Sequence, residues 1–184
     1  MSLVTLLWAS TKINNFLFLN PNFTKNWVLF LNFQITGQDV LLSNLTNCTV
    51  IMKSNPITLH MTNLENCTLW MGPVQTSIYV DEAHFCQFSL ACQQLRAHNS
   101  SNCKFYLHVT SKGIIEDCKK IQVAPYNFVY DNLDNQYTKL GLDPEKNNWD
   151  QLDDFNWLAS EQSPNWSILP YDERVESLLW NKYA

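Results

Sequence analysis

The segment Ala91-Cys-Gln-Gln-Leu-Arg-Ala-His98 places an arginine beside two glutamines. Arg96 offers a planar, permanently protonated guanidinium that can bind an anionic group through two hydrogen bonds at once. Gln93 and Gln94 carry amides that can donate and accept hydrogen bonds within reach of Arg96. The residues alone leave a simpler alternative open, in which a surface arginine pairs with a nearby carboxylate and the glutamines only line a strand. The choice depends on the elements that position Arg96.

A cysteine repeat organises the middle of the chain. Its five cysteines are separated by 19, 19, 17 and 15 residues: Cys48, Cys67, Cys86, Cys103 and Cys118. A period below about 20 residues is too short for a pair of helices, and the intervening sequence alternates and is rich in β-branched residues. The repeat therefore predicts a parallel β-helix with coils of about 15–19 residues. Its cysteines should point inward, and the Asn or Asp before several of them should form corners.

The six cysteines, which include Cys92, are expected to be reduced core thiols. Three disulfides or a metal site are the alternatives, but no Cys-x-x-Cys pair exists and residues 1–10 lack the basic leading region of an export signal. The histidines lack the spacing of a zinc protease or a compact ligand cluster: His60, His84, His98 and His108. We therefore expect no metal.

Positions counted from the repeat cysteines predict which side chains face outward. The eleventh position is apolar and therefore predicted to be interior: Leu59, Ile78, Ala97 and Ile114. The tenth position then faces solvent, because strand side chains alternate: Thr58, Ser77, Arg96 and Gly113. Arg96 is thus expected to project from a rigid sheet between small neighbours, with Gln94 on the same face and Gln93 near the preceding corner.

Composition excludes several classes of protein. The 184 residues are 46% hydrophobic and 16% charged with a net charge of −5, which fits a globular domain and argues against nucleic acid or anionic lipid as partners. The four glycines are far apart, so no phosphate-cradling loop can be written, and we expect no bound nucleotide or other cofactor. The apolar runs are too short for a membrane span.

The chain divides into three regions of one fold. Residues 1–36 form an uncertain N-terminal appendage outside the repeat, residues 37–130 form the β-helix coils, and residues 131–184 form an acidic, tryptophan-rich cap. The cap is expected to be mostly irregular or short-helical. Four apolar residues at three-residue steps predict a helix or turn that buries one face: Trp149, Leu152, Phe155 and Leu158. Asp153 and Asp154 suit a cap or partner contact better than a glycosidase pair.

Several motifs together resemble the carboxy-terminal domain of the tubulin-binding cofactor C family. They are Ala91–His98, Phe105–Ser111, Ile114–Cys118 and Gln122–Tyr126. Four tail segments look closer to the cofactor C branch than to the related retinitis-pigmentosa GTPase activators: Gly141–Asp143, Lys146–Trp149, Asp153–Leu158 and Ser163–Pro170. The likeness runs from about Asp39 to Arg174.

This resemblance implies a right-handed parallel β-helix whose Gln-Gln-x-Arg motif acts on GTP held by another protein. Arg96 would be a finger inserted in trans, Gln93 would assist, and Gln94 follows from the same motif. The implied partner is β-tubulin, or the α/β-tubulin heterodimer, held with tubulin cofactors D and E in a cytoplasmic, cytoskeleton-associated folding reaction. The chain would hydrolyse no nucleotide alone.

Two other functions stay open at this point. The same arginine chemistry would serve an Arf-like small GTPase, and a non-catalytic solenoid that binds tubulin would need no finger at all. Residues 1–36 do not look like the helical N-terminal domain that full-length family members carry, so a fragment and a divergent family member are both consistent with the sequence.

Overall fold

The structure is a computed structural model, and it describes residues 11–13, 16–19, 27–31, 35 and 37–179. Side chains are described for residue 35 and for residues 37–177. The rest of the N-terminal appendage, and residues 180–184 of the cap, lie outside the described residues.

Almost every described element is a short β-strand. In chain order the strands are β1 (Thr11–Ile13), β2 (Phe16–Leu19), β3 (Trp27–Leu31), β4 (Asp39–Thr46), β5 (Cys48–Met52), β6 (Thr58–Glu65), β7 (Thr68–Met71), β8 (Ser77–His84), β9 (Gln87–Cys92), β10 (Gln94–His98), β11 (Lys104–Val109), β12 (Gly113–Glu116), β13 (Ile121–Pro125), β14 (Phe128–Val129), β15 (Leu152–Asp154), β16 (Trp166–Ile168) and β17 (Leu178–Leu179). One α-helix, α1, spans Leu133–Leu140, and a 3-10 turn spans Tyr171–Glu173.

The strands stack into two long sheets, as a parallel β-helix requires. The first sheet has the order β1-β2-β4-β6-β8-β10-β12-β15, and the second has β16-β13-β11-β9-β7-β5-β3. All neighbours in both sheets are parallel except β1 and β2. Each coil adds one strand to each sheet, which confirms the fold predicted from the repeat.

Left-handed backbone marks the corners of every coil. The residue before each repeat cysteine has a φ between 51° and 55°: Asn47, Asn66, Phe85, Asn102 and Asp117. A second column three residues earlier has a φ between 45° and 55°: Asn44, Asn63, Glu82 and Asn99. Asn and Asp adopt this conformation at low cost because their short side chains bond the local backbone. The asparagines also bond one another across coils, with Asn63 Nδ2 donating to Asn44 Oδ1 at 2.6 Å and Asn66 Nδ2 to Asn47 Oδ1 at 2.5 Å.

The inward faces of the two sheets form one continuous apolar core. All six cysteines are buried and unpaired, as expected for core thiols. Three of the thiols lie between a carbonyl of their own coil and one of the preceding coil, as when Cys67 Sγ is 3.2 Å from Glu65 O and 3.3 Å from Leu45 O. Burial raises the pKa of Cys92 to about 12. Cys92 is therefore a packing group and not a nucleophile.

The outer faces of the two sheets differ. The cap covers the second sheet, since Tyr137 and Leu142 pack on Ala91. Tyr126, in the segment between β13 and the cap, also crosses this sheet, and its Oη donates to Met71 O at 2.8 Å. The first sheet keeps exposed polar side chains around its centre, among them His60 and Arg96. A partner can therefore reach the first sheet while the second is closed.

Both ends of the solenoid extend the repeat in the described backbone. In the N-terminal region that the sequence left outside the repeat, β2 and β3 pair in parallel with β4 and β5, and so add a strand to each sheet. In the cap, β15 and β16 do the same at the other end. None of the helices in the described part of the chain is long and apolar enough to cross a membrane.

The single buried face predicted from three-residue steps in the cap is wrong, although Trp149 and Phe155 do lie in turns. Leu152 is buried and Trp149 packs on the core, but Leu152 lies in strand β15. Beyond this strand Phe155 is 56% exposed and Leu158 is 96% exposed. Strand pairing to β12 fixed the local conformation here, and it overrode the helix-like spacing.

Candidate functional site

Arg96 lies at the centre of the open face of the first sheet. Strand β10 has hydrogen-bonded neighbours on both sides, β8 and β12. Leu95 and Ala97 point into the core and are 1% and 2% exposed, whereas Arg96 between them is exposed. The outward direction expected for Arg96 is confirmed. Because its strand is clamped by two neighbours and two buried side chains, the guanidinium is presented from a rigid base.

The neighbours of Arg96 differ from those predicted. Arg96, ten residues after Cys86, pairs with Tyr79, twelve after Cys67, and with Ile114, eleven after Cys103. A two-residue slip preserves the face of a strand and a one-residue slip inverts it. The prediction that Ile114 is interior and Gly113 exposed is therefore wrong: Ile114 shares the outer face with Arg96, and Gly113 is buried. Tyr79 and Ile114 replace the small neighbours that were expected.

The two glutamines take different positions beside Arg96. Gln94 is two residues away in β10, half-buried, on the same face. Gln93 lies at the bend before β10 and is exposed. Its Nε2 donates to Gln75 O at 2.9 Å, and its backbone carbonyl accepts from the Ser111 hydroxyl at 2.7 Å and the Ser111 amide at 3.0 Å. The side chain of Gln93 is thus held in place at the edge of the open face.

The guanidinium of Arg96 is unpaired within the part of the chain that the structure describes. It makes no ion pair, hydrogen bond or ring contact with a described residue. The alternative in which Arg96 forms a surface ion pair therefore has no support from the described residues. An exposed, unpaired guanidinium on a rigid sheet is available to an anionic ligand or partner.

A polar network lies beside Arg96 on the same face. His98 Nε2 is 3.0 Å from Glu116 Oε2, and His98 Nδ1 is 3.7 Å from Asp81 Oδ1. Asn99 Nδ2 is 3.2 Å from Asp81 Oδ1 and 3.2 Å from His98 Nδ1. His98 therefore donates from Nε2 to Glu116, while Nδ1 accepts from Asn99 when the imidazole is neutral. Counting from the cysteines misaligned these strands, so the sequence does not predict that Asp81 and Glu116 lie beside His98.

These groups set the charge around the guanidinium. Burial raises the pKa of Tyr79, and the carboxylates of Asp81 and Glu116 raise it further, so the strand neighbour of Arg96 in β8 is a neutral phenol at physiological pH. His98, Glu116 and Asp117 also place one ligand atom each within 4.8 Å of one another. This set could hold a divalent ion, although His98 and Glu116 already bond each other.

Comparisons with known proteins assign most of the described residues to one protein family. Residues 37–155 match the family model described as Tubulin binding cofactor C. Tubulin-specific chaperone C of Mus musculus is 51% identical over 142 residues, which cover 77% of this chain and 42% of that protein. Tubulin-folding cofactor C of Arabidopsis thaliana is 42% identical over 137 residues, which cover 74% of this chain and 40% of that protein. The chain thus spans less than half the length of these relatives.

A solved structure supports the same fold. Tubulin Binding Cofactor C from Leishmania major matches with a TM-score of 0.57 and 21% sequence identity, over 75% of this chain and 87% of that one. At this level of identity the match concerns the parallel β-helix itself and not the chemistry of its face.

Proposed function

The chain belongs to the tubulin binding cofactor C family, and from this premise we propose that it takes part in cytoplasmic tubulin folding by stimulating GTP hydrolysis on β-tubulin. Arg96 is the finger inserted in trans, and tubulin cofactors D and E hold the heterodimer during the reaction. The relatives' names, tubulin-specific chaperone C and tubulin-folding cofactor C, supply the partner. The family resemblance supplies the finger.

The observation that carries the proposal is the exposed, unpaired guanidinium of Arg96 on a rigid sheet. An arginine finger must reach into a site on another protein, so it needs a free head group and a base that does not move. Arg96 meets both needs among the described residues, since its own strand is buried on the inner side and paired on both edges.

Each side chain has a distinct role in the proposed step. Negative charge grows on the phosphoryl oxygens as the γ-phosphate transfers to water, and the Arg96 guanidinium stabilises that charge. Gln93 is anchored through its Nε2 to Gln75 O, so its Oε1 remains to orient the attacking water or the finger. Gln94 lies on the Arg96 face, where it borders the partner. GTP and the metal that accompanies it belong to the partner.

A second candidate partner is an Arf-like small GTPase, because the finger chemistry is the same for any GTP-binding protein. A non-catalytic tubulin-binding solenoid is a third. The names of the relatives favour tubulin, and the free guanidinium favours catalysis over binding alone.

A side-by-side assay tests the proposal. GTP hydrolysis is followed with GTP-loaded tubulin plus cofactors D and E, and separately with a GTP-loaded Arf-like GTPase, using the wild type, Arg96→Ala, Arg96→Lys and Lys119→Ala. Lys119 is an exposed corner residue, so its variant removes one positive charge away from the face. We expect stimulation with tubulin that Arg96→Ala abolishes, Arg96→Lys largely loses and Lys119→Ala retains. Equal stimulation by wild type and Arg96→Ala would overturn the catalytic role, and stimulation of the small GTPase alone would overturn the partner.

A further inference from the structure

Two carboxylates lie within reach of Arg96 yet leave it unpaired. Asp81 is two residues beyond Tyr79, the partner of Arg96 in β8, and Glu116 is two residues beyond Ile114, its partner in β12. All three side chains are on the outer face. From strand spacing and rise, the Cα atoms of Asp81 and Glu116 lie about 8 Å from that of Arg96. Long side chains bridge such diagonal distances readily.

His98 occupies the position between these carboxylates. It pairs with Asp81 across one side of β10 and with Glu116 across the other. Its Nε2 is 3.0 Å from Glu116 Oε2, and Asn99 Nδ2 is 3.2 Å from Asp81 Oδ1. The three side chains of Asp81, His98 and Glu116 are 26%, 31% and 46% exposed. Each carboxylate therefore already has a donor other than Arg96.

We propose that His98 is a positioning residue for Arg96: by holding Glu116, and with Asn99 also Asp81, it prevents an ion pair within the chain and keeps the guanidinium free. The importance of this role rests on the proposed function. If Arg96 formed an ion pair with a carboxylate of its own chain, it would have to break that pair before it entered the partner's site. Without the imidazole donor, Glu116 would be free to pair with Arg96, which lies diagonally across from it on the neighbouring strand.

The side-chain NMR signals of arginine test this directly, without a partner. The chain contains only two arginines, Arg96 and Arg174, and Arg174 Nε donates to Leu169 O at 3.0 Å, which makes it an internal reference. The Nε–H signals and their exchange with water are measured on the full chain for the wild type, His98→Leu and His98→Gln. The leucine removes the donor, whereas the glutamine amide keeps one. A further variant adds Asp81→Asn and Glu116→Gln to His98→Leu.

Pairing of Arg96 should appear only where the donor is lost. In His98→Leu we expect the Arg96 Nε–H to shift and to exchange about two- to fivefold more slowly, as an exposed ion pair would cause. His98→Gln and the triple variant should match the wild type, and Arg174 should not change in any variant. An unchanged Arg96 signal in His98→Leu would overturn the proposal, as would a slowed signal that persists in the triple variant.

An activity measurement separates this inference from the proposed function. With tubulin and cofactors D and E, His98→Leu should lower the stimulated rate of GTP hydrolysis about two- to fivefold, and His98→Gln should retain it. Equal loss in both variants would contradict the proposal, because it would mean that the imidazole itself contacts the partner. If the wild type stimulates no hydrolysis, the proposed function fails, while the NMR comparison still decides the role of His98.

Discussion

Glu82 interrupts a column of asparagines, and replacing it should stabilise the fold. It has a φ of 52°, in the column otherwise formed by Asn44, Asn63 and Asn99. An ordinary L-residue pays about 1–2 kcal/mol in this conformation, which asparagine largely avoids. Glu82 is exposed, so its replacement sacrifices little buried area. We expect Glu82→Asn to raise the free energy of unfolding by about 1 kcal/mol.

Thermal unfolding measures this gain. For a chain of this size 1 kcal/mol corresponds to a rise in Tm of about 2–4 °C. Glu82→Gln removes the same charge but keeps a side chain poorly suited to a left-handed corner, so it should gain much less. The reverse change, Asn63→Glu, should lower Tm, because it adds the backbone cost and removes the bond to Asn44 Oδ1. Equal Tm values for Glu82→Asn and the wild type, or equal gains for Glu82→Gln and Glu82→Asn, would refute the backbone explanation.

Three further outcomes are expected. Gln93→Ala should lower stimulated GTP hydrolysis by roughly one to two orders of magnitude, and Gln94→Ala should lower it by less, because Gln93 is anchored at the edge of the face. A larger loss for Gln94→Ala than for Gln93→Ala in the same assay would count against these roles. Gly72→Ala should destabilise the chain by about 1–3 kcal/mol in urea unfolding, because the added Cβ would lie 2.6 Å from Tyr130 Oη; full wild-type stability would contradict the packing. Burial raises the pKa of Tyr126 and Tyr130 above the ordinary value of 10.0, so the unfolded chain loses these phenolic protons at a lower pH than the folded chain. The free energy of unfolding should therefore fall above about pH 10. Urea midpoints that stay constant from about pH 8 to 11 would contradict this expectation.

The parallel β-helix could be predicted because a cysteine recurs at the same buried position of each coil. A cysteine at each coil, preceded by Asn or Asp in four of the five, required both a small inward side chain and a left-handed corner, and the structure has both. Phe85 has the same left-handed conformation although nothing in its residue type announces it. In that coil the pairing of neighbouring strands imposes the left-handed backbone conformation on Phe85, although this residue type does not favour it.

The surroundings of Arg96 were less predictable because coil length changes within the repeat. The shorter spacing after Cys86 moves the register by one residue on one side of β10 and by two on the other. Since only an odd slip inverts a strand, Arg96 kept its predicted direction while Ile114 and Gly113 exchanged faces. The grouping of Asp81, His98 and Glu116 depends on that register, so counting residues from the cysteines does not reveal it.

The prediction for the cap was wrong for a different reason. Apolar residues at three-residue steps suited a helix, but the open end of a stacked sheet offers unpaired backbone groups that a strand satisfies at once. Leu152 therefore entered β15 and the core, while Leu158 was left in solvent.

The most direct test of the finger is a single-turnover measurement of GTP hydrolysis on tubulin held with cofactors D and E. It is combined with the affinity of the chain for that complex, for the wild type and Arg96→Ala. An arginine finger acts on the transition state, so we predict a loss of about 10³-fold or more in the rate with a much smaller change in Kd. A rate that survives the substitution, or a loss explained entirely by weaker binding, would contradict the account.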